Sequence, residues 1–121
     1  MRPEQATHRA VAQYLNAVLP DTVFWTTFPS GGGGRVRGAQ LKALGLKAGV
    51  PDVLILHRGR SYFIELKAVH GRLSDAQKSC HPRIWEAGAP VGVAKTIDDV
   101  RGLLASWDIP TREVHQARAA A

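Results

Sequence analysis

The sequence has one cysteine, Cys80, among 121 residues. That excludes an internal disulfide framework and a multi-cysteine zinc site. It has no apolar run near the ~20 residues needed to cross a bilayer, so no membrane-spanning helix is expected. The N-terminus turns polar within five residues and carries no signal-peptide core, which points to a cytoplasmic protein. Histidines are few and scattered, at His8, His57, His70, His81 and His115. The gap between His70 and His81 matches no common metal spacing. Acids are scarce in one stretch above all: between Gly31 and Arg72 only Asp52 and Glu65 are acidic.

What that stretch does contain is positive charge. Its cations are Arg35, Arg37, Lys42, Lys47, Arg58, Arg60, Lys67 and Arg72. The rest of the chain has eight basic and eight acidic residues, so the whole excess of +6 lies here. Lysines and arginines that meet phosphates release counterions, so a polyanion is the natural partner. Arg35, Arg37, Lys42, Lys47 and Arg72 are the candidate nucleic-acid contacts. The plain alternative is a solvated basic surface.

The length fits one domain over 1–121, large enough to bury a core without disulfides. Pro3 to Val18 reads as a helix, with Val11, Tyr14, Leu15 and Val18 at helical spacing. Thr22 to Phe28 reads as a strand, rich in β-branched and aromatic residues. A basic glycine-rich loop is expected over about 29–38, either a plain linker or a segment that orders on phosphates. Ala39 to Leu44 reads as a short helix ended by Gly45. Asp52 to His57 and Ser61 to Lys67 read as strands. Ser74 starts a helix to about Ala87, and Ser74 with Gln77 fits a capping box. Val91 to Lys95 reads as a strand, and Thr96 caps a helix through Trp107. Arg112 to His115 fits an edge strand, and the tail over about 117–121 is expected to fray. Trp25, Trp85 and Trp107 are expected to be buried. The result is an α/β domain with a mixed central sheet flanked by helices.

Chemistry gathers at the central hairpin. A two-residue turn at Arg58-Gly59 pairs His57 with Arg60 and, running back, sets Asp52 opposite Glu65. Their Cβ atoms would lie about 5 Å apart, and like charges placed so are destabilising. A divalent cation between them removes the conflict, and carboxylate oxygens suit Mg²⁺ or Mn²⁺. The backbone carbonyl of Leu66 can complete the metal shell. Lys67 projects from the same face as Glu65. There it can orient a water or stabilise developing negative charge.

Gly49-Val50-Pro51-Asp52 with Glu65-Leu66-Lys67 resembles the PD-(D/E)xK nuclease core. More specifically, the chain resembles the VRR-NUC domains, the virus-type replication-repair nucleases. The likeness includes Lys47-Ala48-Gly49 and Gly71-Arg72-Leu73-Ser74 with Gln77, and runs from Glu4 to about Ile109. It implies a restriction-endonuclease-like αβββαβ core and a metal-dependent DNA endonuclease. It implies Asp52 and Glu65 as metal ligands, Lys67 as catalytic, Gln77 lining the site, and Glu4 as a further acid near the metal. The nearest type is the stand-alone, phage-like one, which implies a bacterial or phage origin, a homodimer and branched DNA such as a four-way junction. Gln77 as a simple cap and Glu4 as a complement to its helix N-terminus are the rival readings of those two. A non-catalytic DNA-binding module on the same fold is the rival for the whole.

Overall fold

The computed structural model describes residues 3–28 and 34–113. The first helix, α1 (Pro3–Val18), buries Val11, Leu15 and Val18 along one stripe. Strand β1 (Phe24–Thr27) follows, then α2 (Gly34–Ala43), β2 (Val53–His57), β3 (Arg60–Leu66), α3 (Asp75–Glu86), β4 (Val91–Ala94) and α4 (Ile97–Ser106). The sheet order is β1-β2-β3-β4. The first two pairings are antiparallel, and β3 with β4 is parallel. The fold is therefore α/β with a mixed four-stranded sheet, as expected.

The β2–β3 turn carries the register. Arg58 has φ +51° and Gly59 φ +77°. Two central residues in the left-handed region make the primed turn that matches strand twist. His57 pairs with Arg60 and Val53 with Ile64, which is the register the sequence predicts. Val53, Ile55, Tyr62, Ile64 and Leu66 then share one face. They pack with Leu15, Val100 and Leu104 of the flanking helices into a single core. The opposite face of β3 turns Glu65 toward α3.

Both later helices begin with side-chain caps. The Ser74 hydroxyl accepts from Gln77 N–H, and Gln77 Oε1 accepts from Ser74 N–H at 2.8 Å, closing the capping box. Thr96 caps α4 through Asp99 N–H. The segment after α4 is tied back by Arg112 N–H, which donates to Val18 O, and by Glu113, which accepts from Tyr14 and Arg101.

Three expectations change. The glycine-rich loop does not extend to residue 38, because α2 begins at Gly34; residues 29–33 lie outside the described ones. The edge strand from Arg112 is not formed at 112–113, where the backbone bonds to α1 instead of a strand. Residues 114–115 and the tail over 117–121 lie outside the described ones. Trp85 is 57% exposed, while Trp25 and Trp107 pack against the core. Trp85 sits on the solvent side of α3.

Gly49 controls how α3 meets the strand that follows it. Its φ is +82°, and an added Cβ would overlap the Ala76 carbonyl and lie 2.7 Å from Gln77 N. Both obstacles are backbone and cannot swing away. Gly49→Ala should therefore lower stability by about 1–3 kcal/mol in urea unfolding. Gly102→Ala, in open space on α4, should raise it by about 0.5–1 kcal/mol.

Candidate metal and phosphate site

A polar cavity of about 500 Å³ opens where the N-terminal turns of α1 and α3 approach the Asp52 end of the hairpin. Glu4, His8 and Arg9 line it from α1, Asp52 and Glu65 to Lys67 from the hairpin, and Gln77 from α3. The residues Asp52, Glu65, Leu66, Lys67, Gln77 and Glu4 singled out from the sequence thus meet in one place.

Backbone geometry sets the first two groups. Phe28 N–H donates to Asp52 O at 2.9 Å, anchoring Asp52 to β1. Asp52 Oδ2 accepts from Leu66 N–H at 2.8 Å, which spans the hairpin. The N–H and C=O of one strand residue point to the same side. The Leu66 carbonyl therefore faces the Asp52 side as well. This bond fixes Asp52 Oδ2 toward Leu66, and the same carboxylate also hydrogen-bonds Glu65.

Glu65 is 1% exposed, and its Oε1 lies 3.0 Å from Nε2 of His81. Burial, then a hydrogen bond to Asp52 and the charge of Asp52, push the Glu65 carboxyl up to about 9. Lys67 pulls the other way, and Glu4 adds to the rise. Burial and then the Lys67 charge lower His81, with Asp52 opposing. Both shifts favour a neutral hydrogen bond between Glu65 and His81 over an ion pair. Lys67 is buried too, and its Nζ lies 3.9 Å from Glu4 Oε1. That distance is a charge contact, not a hydrogen bond.

The donor set fits a hard divalent cation. A carboxyl that holds its proton so tightly beside a second carboxylate marks a place short of positive charge. Asp52, Glu65 and the Leu66 carbonyl offer only oxygens, the choice of Mg²⁺ and Mn²⁺. Among the described residues no group of three or more His, Cys, Asp or Glu forms a metal cage. A site of one or two carboxylates that leaves room for water and phosphate is the ordinary arrangement for Mg²⁺.

A family model described as the VRR-NUC domain matches residues 33–97, more than half of the chain. The chain belongs to the VRR-NUC domain family. Two solved structures share the fold of this VRR-NUC domain. One, a VRR_NUC domain protein, is 22% identical, covers 91% of this chain and 92% of its own, and superimposes with a TM-score of 0.68. The other, a VRR_NUC domain, is 21% identical, covers 87% and 97%, and has a TM-score of 0.59. No curated protein matches the chain. The VRR-NUC match makes this a nuclease-type domain, and it spans Asp52, Glu65, Lys67 and Gln77 but begins after Glu4.

The cationic residues stand elsewhere. Arg37 and Lys42 are exposed on α2, and Arg72 is exposed before α3. Lys47 lines a second, more apolar cavity with Phe63, Cys80 and Arg83. The Arg35 side chain lies outside the described ones. None of these lines the polar cavity among the described residues. Gln77 serves as a cap and lines the cavity at once, so its two readings are compatible. His81, His8 and Arg9 were missed by sequence reasoning. The available signal was spacing: His81 is four residues after Gln77, and His8 four after Glu4.

Glu65 also makes stability depend on pH. A carboxyl raised from 4.5 to about 9 binds its proton more tightly when folded. Its contribution is present in full below the unfolded value and is lost as pH rises toward 9. In EDTA, the melting temperature should fall from about pH 7 to pH 9, above the range in which the lowered His81 opposes the trend. Glu65→Gln, which mimics the protonated form, should lack that fall in differential scanning calorimetry.

Proposed function

We propose that this VRR-NUC protein is a Mg²⁺- or Mn²⁺-dependent DNA endonuclease. The observation that carries the reading is the convergence of Asp52, Glu65 and Lys67 on one polar cavity. Asp52, Glu65 and the Leu66 carbonyl would hold the cation, and a cation bound there would supply Lewis-acid polarisation of the phosphate and a water of lowered pKa. Lys67 stabilises the charge that develops on the phosphate and orients the attacking water. Gln77, with its Oε1 held by the cap, keeps its amide N–H groups for the substrate or that water. Glu4 balances Lys67 across the cavity mouth.

The substrate is branched DNA, with the four-way junction as the preferred form. One site per chain cuts one strand, so symmetric cleavage calls for a homodimer. Arg35, Arg37, Lys42, Lys47 and Arg72 supply sequence-independent phosphate contacts around the cavity. No helix among the described residues is long and apolar enough to cross a membrane.

The rival is a DNA-binding module without catalysis, because the exposed cations Arg37, Lys42, Lys47 and Arg72 would bind phosphates with no metal present. One assay separates the two. With Mn²⁺ the purified protein should nick labelled junction DNA, and EDTA should stop it. Asp52→Ala and Lys67→Ala should each lower the rate by at least about 10²-fold. Asp52→Ala should still bind the junction at least as tightly, because it removes a negative charge facing phosphate. Undiminished cleavage by either variant sinks the assignment. Salt-dependent binding by the wild type without cleavage under any divalent metal establishes the rival.

A further inference from the structure

Among the described residues, three charged or titratable side chains are buried: Glu65, Lys67 and His81. The first two belong to the proposed site, and His81 has no role yet. It sits on α3, four residues after Gln77, and therefore on the same helix face. The capping box of Ser74 and Gln77 fixes where that helix starts. The imidazole is thus presented to the sheet by a rigid element, 16 residues along the chain from its partner.

Glu65 needs such a partner. A glutamate loses rotamer freedom when it is held in one position. His81 Nε2 meets Glu65 Oε1 at 3.0 Å, with both side chains out of solvent.

We infer that His81 is the positioning residue of this site: its Nε2–H donates to Glu65 Oε1 and fixes the carboxylate so that Glu65 can present an oxygen to a divalent cation. The inference deepens the proposed nuclease function and rests on it. His81 acts through Glu65 and is not itself a ligand. Asp52, Glu65 and His81 do not form a metal-holding group among the described residues. Partners that orient a metal's ligands in this way commonly set affinity over about 10- to 100-fold.

The length of the replacement side chain supplies the test. The amide nitrogen of glutamine falls near the position of histidine Nε2, whereas that of asparagine falls near Nδ1 and cannot reach Glu65. Mn²⁺ binding to the metal-free, full-length protein is measured by calorimetry for wild type, His81→Gln, His81→Asn and His81→Leu. Melting curves in EDTA verify that each is folded. His81→Gln should bind within about threefold of wild type, and the other two about 10- to 100-fold more weakly. In the cleavage assay the weak binders should need correspondingly more Mn²⁺ for half-maximal rate, with the KM for DNA unchanged once Mn²⁺ saturates the site. If His81→Leu does not fold, the glutamine and asparagine pair decides. Asparagine binding as tightly as wild type, or glutamine binding as weakly as asparagine, overturns the role of His81. A wild type that binds no Mn²⁺ overturns the nuclease reading itself.

Discussion

The pairing of β2 with β3 in one register is the constraint on which the site depends. It brings Asp52 to Glu65 although two acids resist being placed together. The opposing force is burial. Val53, Ile55 and Ile64 are fully enclosed, and each such side chain contributes about 1.5–3 kcal/mol by leaving water. A slip of one residue would turn that whole row to the other face. Relative to this loss, crowding two carboxyls is the smaller penalty, and it is reduced further because Glu65 keeps its proton. The hydrophobic face of the hairpin thus holds in place a polar face that would not assemble by itself.

The hairpin supplies only part of the cavity. Its walls come from three separated stretches of chain, and close contacts join them. Gly49 lets the strand entry run against the backbone of Ala76 and Gln77, where any side chain would collide. Gln77 closes the α3 cap and lines the cavity with the same side chain. Leu66 packs into the core while its N–H holds Asp52. In each case one residue serves both stability and the site. Rearranging the site therefore disturbs the packing, which favours a preformed cavity over one assembled by the ligand.

The parts legible in the sequence were those with local causes. The period of α1, the primed turn at Arg58-Gly59, the Ser74–Gln77 box and the Thr96 cap each depend on residues within a few positions of one another. The register followed from turn length alone, and it placed Asp52, Glu65 and Lys67 correctly as neighbours. Other parts depend on distance. The start of α2 was hidden because a glycine run argues for a loop until Gly34, and the helix simply begins at its end. The end of the chain resembled an edge strand, but Tyr14 and Arg101 capture Glu113 first. His81 enters the sequence reading only through its spacing from His70, since nothing local shows that its face of α3 turns inward onto Glu65. Helical spacing from Gln77 would have indicated it, but only once Gln77 itself was placed at the site.

The arrangement of charge gives the proposed function its physical shape. The described candidate phosphate contacts, Arg37, Lys42, Lys47 and Arg72, lie outside the polar cavity, on α2, before β2 and before α3, while the cavity holds Glu4, Asp52 and Glu65 against Arg9 and Lys67. At physiological salt a charge is felt over about 8 Å. The outer cations can therefore gather a phosphate backbone at the surface, but they cannot cancel the acids at the centre. That task falls to groups within contact distance. Lys67 is one, and it is already shared with Glu4. A backbone drawn in by the surround would therefore meet a centre that repels it, unless a divalent cation replaces the proton that Glu65 retains. The same acids that oppose DNA binding in the metal-free protein would then make binding and metal uptake cooperative, because each supplies the charge the other lacks.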